Sequence, residues 1–256
     1  MKLGAIYTVF NGIELLEGSI NQIYPYVDKI IISYQDISNR GEIREGLREE
    51  LKRFEKDKVE YQFFKPDLSR NTKENERRKL NNAIQYLKAK GYTHYVLLAT
   101  DHYFLKDEFI KAKIKANEYD VTLTKMYTYF KKPTWQLAPI EQYQMPFICK
   151  IYPDTEVSML EYKGFRTDPS VRINTRNKIY CFYSYEIMMH HYSMVRSDIE
   201  NKFSNAAASV RWTKEQIEDY KNEYKNYDII LNPGIKYFGG RKIKIVPNHF
   251  NISLPE

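Results

Sequence analysis

Two short segments carry the residue types that could do chemistry. In YVLLATDHYFL (residues 95–105), a run of strand-forming residues stops at Asp101-His102, a carboxylate beside an imidazole at the end of an apolar strand. In MMHHYSMVRSDIENK (residues 188–202), the adjacent His190 and His191 are followed by Arg196 and Lys202. A carboxylate and a neutral imidazole can ligate a divalent cation, and arginine and lysine pair with phosphate oxygens. In an extended segment neighbouring side chains point to opposite faces, so one of His190 and His191 faces a given site, and His102, on the other face from Asp101 by that alternation, ranks lower as a second ligand. Each feature has a plainer counterpart. Asp101 also reads as a cap on a turn or on the helix beginning near Lys106, and residues 188–202 as a tyrosine-rich surface strand with incidental histidines. Cys149 and Cys181, the only cysteines, lie in no nucleophile motif and are too few for a disulfide framework or a thiolate metal site.

The elements that must position these residues alternate. LGAIYTVF (3–10) reads as a buried strand ending in an Asn11-Gly12 turn, and Ile13, Leu16, Ile20 and Ile23 recur at helical spacing up to Pro25. KIIISY (29–34) is a second strand, followed by a charged helix over about 43–57 and a third strand, VEYQFF (59–64). A helix over about 73–89 stops at Gly91 and leads into the strand HYVLL (94–98). This order predicts an α/β fold, a doubly wound and mainly parallel sheet flanked by helices, with ligands at the carboxyl ends of the strands, the edge where Asp101 falls. On the helix before Asp101, Leu80, Ile84 and Leu87 form the buried stripe; Arg77 and Asn81 fall beside it and Lys79 and Lys90 do not. Arg77 and Asn81 therefore need partners, either a ligand's phosphate and ribose or an internal salt bridge to Asp28 or Asp36. The second half is less regular. Strands are expected over 120–130, 147–152 and 179–192, a Pro-containing loop over 131–146, a helix over about 213–226, and a closing hairpin or tail over 234–247.

The segments AIYTVFNGIELLEGSI (5–20), VDKIIISYQD (27–36) and ENERRKLNNAIQYLKAKGYTHYVLLATDHYF (74–104), in this order, resemble the nucleotide-sugar-binding half of a GT-A fold glycosyltransferase, family 2-like, over roughly residues 3–105. The resemblance implies a donor-binding set of Phe10, Asn11, Asp36, Arg77, Asn81 and Asp101, with Asp101 the surviving carboxylate of a degenerate DxD motif that has Ala99 at its other position. It further implies a divalent cation, Mn2+ or Mg2+, held by Asp101 and His191, with His190 the second choice. Arg196 and Lys202 would stabilise a nucleoside diphosphate leaving group, and Trp135, among Tyr127, Tyr129, Phe130 and Tyr143, would meet the acceptor. Aromatic faces stack on sugars and on bases alike. Glu161 and Asp168, in the polar segment 159–170, are candidates for a catalytic base. The implied organisation is one domain over 1–256: a nucleotide-sugar half (1–105), an acceptor and metal-completing part (106–212) and a C-terminal helix and tail (213–256).

Composition narrows the classes. The 256-residue chain has no apolar run of bilayer-spanning length and no secretory signal, which with only two cysteines predicts a cytoplasmic protein. The net charge of +7 suits an anionic partner, although 33 acidic residues are interleaved with the basic ones. The expected partners are a nucleotide-sugar donor and a hydroxyl acceptor, a glycan first and a nucleic acid base second. Two other classes compete. A nucleotidyltransferase acting on a sugar phosphate would want a Gly-rich loop after the first strand, where this chain has the single Gly12. A non-catalytic nucleic-acid-binding protein would rely on charge and on the 23 tyrosines alone.

Overall fold

The computed structural model describes residues 1–158, 164–167, 178–197, 199–205, 212–232 and 234–254. The N-terminal half alternates as the periodicity predicts: β1 (Leu3–Val9), α1 (Ile13–Ile23), β2 (Lys29–Tyr34), α2 (Leu47–Leu51), β3 (Val59–Phe63), α3 (Thr72–Ala89) and β4 (His94–Ala99). These strands form a parallel block in the order β3-β2-β1-β4. The continuous apolar runs of β1 and β4 suit strands covered on both faces. Ile13, Leu16 and Ile20 of α1 pack on one face. Leu80, Ala83, Ile84 and Leu87 of α3 pack on the other, against Ile6, Ile31 and Leu97.

The second half completes the sheet: β5 (His102–Tyr103), α4 (Lys106–Ala116), β6 (Val121–Phe130), β7 (Trp135–Ala138), β8 (Met145–Lys150), β9 (Ile179–Cys181), β10 (Met188–Met194), α5 (Ile199–Asn205), α6 (Lys214–Asn226) and β11 (Lys242–Ile245). β8 enters antiparallel between β4 and β6. β10 lies parallel to β6 on one side and antiparallel to the short β5 on the other. That last pairing matters most for the site, because its register sets His191 opposite His102 and His190 opposite Tyr103.

Four expected elements differ. The strand expected over 179–192 is two strands, β9 and β10, separated by a turn in which the Glu186 carboxylate accepts from the Tyr183 N–H at 2.7 Å and the Tyr180 hydroxyl at 2.8 Å. No glycine or proline marks that turn, so side-chain bonding makes it. The loop expected over 131–146 contains β7, which β11 joins antiparallel, Lys242 opposite Ala138. The closing segment 234–247 thus turns back at Gly239-Gly240, where Ile235 bridges Arg241, and then extends the sheet. The helix expected over 43–57 is the short α2 followed by a 3-10 turn at Lys52–Phe54. Among the described residues no helix is long and apolar enough to cross a membrane.

Candidate functional site

Asp101 stands just past the end of β4, with 2% of its side chain exposed. One carboxylate oxygen, Oδ2, accepts from Arg196 Nη2 at 2.5 Å, and Arg196 Nε donates to the Ser193 carbonyl at 2.9 Å. Gly12 makes room for that guanidinium: at φ 73° it adopts a left-handed conformation, and a Cβ there would lie 2.5 Å from Arg196 Nη1. The other oxygen, Oδ1, has no hydrogen-bond partner among the described residues and faces two imidazoles, His102 Nε2 at 3.7 Å and His191 Nε2 at 3.9 Å. Burial alone would raise the Asp101 carboxyl; Arg196 first, then His191, Lys202 and His102, reverse this and hold it well below the usual carboxylate range. Burial pushes His191 down to about 3, so the ring is a neutral donor of a lone pair, and pushes Lys202 of α5 down to about 8.

Asp101, His102 and His191 each offer a ligand atom within 4.8 Å of the others. Asp101 Oδ1 is buried without a hydrogen-bond partner among the described residues and faces His191 Nε2, which fits a cation held between the two. His102 fits less well. The Ala99 N–H donates to its Nδ1 at 3.2 Å, so a neutral ring carries its proton on Nε2, the nitrogen turned to Asp101. A carboxylate with imidazole suits Mn2+ and similar transition ions better than Mg2+, which prefers an all-oxygen shell. Sequence alternation turned His102 away from Asp101. The break between β4 and β5 at Thr100-Asp101 removes that alternation and brings both toward one point.

The same edge opens into a cavity of about 400 Å3 lined by Asp101, His191, Arg196 and Lys202 at one end and by Phe10, Asn11, Gln35 and Lys79 toward β1 and β2. This volume suits a small-molecule ligand. Arg44 organises the first turn, its Nη1 donating to the Phe10 carbonyl at 2.5 Å and to Asn11 Oδ1 at 3.2 Å. Lys79, 4% exposed, donates to the Val9 carbonyl at 3.3 Å and to Gln35 Oε1 at 3.1 Å, and burial lowers its amine to about 7.

Several expected site residues lie elsewhere. Asp36 is exposed one position beyond the buried Gln35, which lines the cavity in its place. Arg77 is half-buried and grips Glu74 with two bonds, at 2.8 and 2.9 Å, and it does not line the cavity. Asn81 is spent on Val157, accepting from its N–H at 2.6 Å and donating to its carbonyl at 3.3 Å. Trp135 packs into the core beneath α5 and α6 with Tyr227 and Phe130, so it offers no face to the cavity. Phe130 and Tyr129 are likewise core residues. His190 takes the face of β10 opposite His191, where its Nδ1 meets the Tyr129 hydroxyl at 2.7 Å. Glu161 and Asp168 lie outside the described residues. The residues that the sequence did not nominate are Gln35, Arg44 and Lys79. For Lys79 a signal existed in Ala83, which extends the buried stripe of α3 so that Lys79, four residues earlier, falls on it.

No protein-family profile and no curated protein matches this chain. Solved structures do. The crystal structure of S. aureus TarS is 13% identical, with 91% of this chain and 45% of that one covered and a TM-score of 0.47. Residues 1–349 of TarS in complex with UDP are 13% identical, covering 88% of this chain and 71% of that one at a TM-score of 0.46. Mannose-1-phosphate geranyltransferase from Thermus thermophilus is 12% identical, covering 54% of this chain and 48% of that one at a TM-score of 0.35. The chain spans less than half the length of the longer TarS structure it resembles.

Proposed function

We propose that this protein is a glycosyltransferase that takes a sugar from a nucleotide-sugar donor and passes it to an acceptor hydroxyl, a glycan in the first instance. The observation that carries this reading is the convergence of Asp101, His191, Arg196 and Lys202 at the carboxyl edge of β4, at one end of a cavity whose other end is lined by Phe10, Asn11, Gln35 and Lys79. In this reading the nucleoside lies toward Gln35 and Lys79 and the diphosphate beside Arg196 and Lys202. Asp101 and His191 hold the divalent cation, which supplies Lewis-acid stabilisation of the diphosphate oxygens when bound. The bond from the sugar's anomeric carbon to the diphosphate oxygen breaks with its electron pair on that oxygen, and the acceptor oxygen bonds to the anomeric carbon as its proton leaves. Arg196 and Lys202 meet the charge that accumulates on the departing diphosphate, the step at which preorganised charge contributes most. Glu161 and Asp168 stand as the candidates for the base that takes the acceptor proton.

Thermal shifts against a panel of nucleoside diphosphates and nucleotide sugars, with Mn2+ and with chelator, test the reading. At least one nucleotide should raise the melting temperature, and chelator should reduce the shift. Asp101→Asn and His191→Ala should each lower donor turnover roughly 100-fold or more, whereas Asp36→Ala and Trp135→Phe leave it near wild type. A protein that no nucleotide stabilises, or whose Asp101 and His191 variants keep full turnover, is not this enzyme.

A further inference from the structure

The cation and the diphosphate of the proposed reaction would meet charges that are already unequal. Asp101 brings one negative charge, while Arg196 and Lys202 bring two positive ones. Arg196 is not a loose surface side chain. Its guanidinium is 7% exposed, occupies the space left by Gly12, is anchored to the Ser193 carbonyl and takes Asp101 Oδ2 at 2.5 Å. That leaves Oδ1 as the free oxygen for an ion, next to a guanidinium that repels it. A divalent ion arriving alone would raise an excess of positive charge among buried groups, where like charges are poorly screened. A diphosphate arriving with it reverses that balance, because its oxygens can accept from Arg196 and Lys202 while they ligate the ion.

We infer that Arg196 is a stand-in cation on Asp101 that opposes a metal ion in the donor-free protein, so that the divalent cation and the diphosphate enter this site as a coupled pair. The inference rests on the glycosyltransferase reading for the identity of the anion, but the antagonism between Arg196 and the ion is a property of this chain alone. By linkage, whatever the diphosphate adds to cation affinity the cation adds equally to diphosphate affinity. Arg196 thereby has two effects of opposite sign, weakening the bare ion and strengthening the anion.

Equilibrium dialysis of Mn2+ with paramagnetic resonance readout of the bound ion separates them. The wild type, Arg196→Gln, Lys202→Gln and Arg77→Ala are each titrated without nucleotide and with the nucleoside diphosphate giving the largest thermal shift, UDP and GDP being tried first. Wild type should bind bare Mn2+ at least tenfold more weakly than Mn2+ with the nucleotide. Arg196→Gln should bind bare Mn2+ at least tenfold more tightly than wild type, about 1.4 kcal/mol, while its nucleotide affinity in chelator falls. Lys202→Gln should move both affinities in the same directions, which keeps the test sharp if circular dichroism shows that Arg196→Gln misfolds. Arg77→Ala should change neither. If both cation-removing variants bind bare Mn2+ no more tightly than wild type, the inference is wrong. Nucleotide binding without that gain sinks this inference only; the gain without any nucleotide binding sinks the transferase reading and leaves the antagonism standing.

Discussion

Lys79 shows how much a single side chain can reveal and conceal. Its aliphatic stem continues the buried row of Ala83 and Leu87 on α3, and its amine ends among the Val9 carbonyl and Gln35 in the cavity wall. Burial lowers it from 10.5 to about 7. Below pH 7 both folded and unfolded states carry the proton and the cost of burying the charge is borne in full; as pH rises from 7 towards 10.5 the folded amine sheds its proton while the unfolded one keeps it, and that cost is progressively relieved. Lys79→Met should therefore stabilise the protein by about 1 kcal/mol at pH 6, an advantage that disappears near pH 10 in denaturant melts. The same variant should bind nucleotide at least tenfold more weakly. Equal stabilisation at both pH values would show that the amine is not held near neutrality. Lys79 lies off the stripe that Leu80, Ile84 and Leu87 trace in the sequence, and only Ala83, a small residue with a weak hydrophobic signal, carries the buried face round to it. Arg77 misled for the converse reason: it has a strong local partner in Glu74, and a charge satisfied one turn away needs no ligand.

At the scale of the element, β10 divides two neighbouring histidines between two environments. His191 faces Asp101, while on the reverse face His190 stacks on Tyr129 and meets Phe250 and His249 edge-on. The alternation of a strand guaranteed that they would part, but only the register of β10 against β5 decided which one met the carboxylate. His190 is pushed down to about 3 by burial. In the unfolded chain it takes up a proton near 6.5, so it withdraws stability as pH falls from there towards 3. His190→Phe should flatten that loss by up to about 1.4 kcal/mol per pH unit when unfolding free energies at pH 7 and pH 5 are compared, with Mn2+ and nucleotide binding unchanged. A variant as acid-sensitive as wild type would place the loss in other groups, His94 among them, which burial also lowers, to about 4.

At the scale of the whole molecule, the last residues brace the strands that carry the site. β11 extends the sheet through β7, and beyond it Phe250 packs against Tyr103 of β5 at 5.2 Å between ring centroids and against His190 of β10 at 4.9 Å. Phe250→Ala should cost about 1–2 kcal/mol, seen as a lower midpoint in denaturant, because its ring is half-buried; a change within error would mean that this closing segment rests on the surface without support. Sequence by itself determined the alternation of β1, β2, β3 and β4 with helices, the mainly parallel sheet it implies, and the arrival of Asp101 at the carboxyl edge, since periodicity and turn residues are local properties of the chain; the order β3-β2-β1-β4 and the shortness of α2 were decided by the fold. Sequence also nominated His191, Arg196 and Lys202, whose chemistry is visible in their types. Tertiary structure alone decided that His102 turns towards Asp101, that Trp135 is core, and that Gln35 and Lys79 wall the cavity in place of Asp36, Arg77 and Asn81. These outcomes depend on strand register, on where a strand breaks and on which partner lies within reach, and such distances between residues far apart in the chain exist only once it has folded.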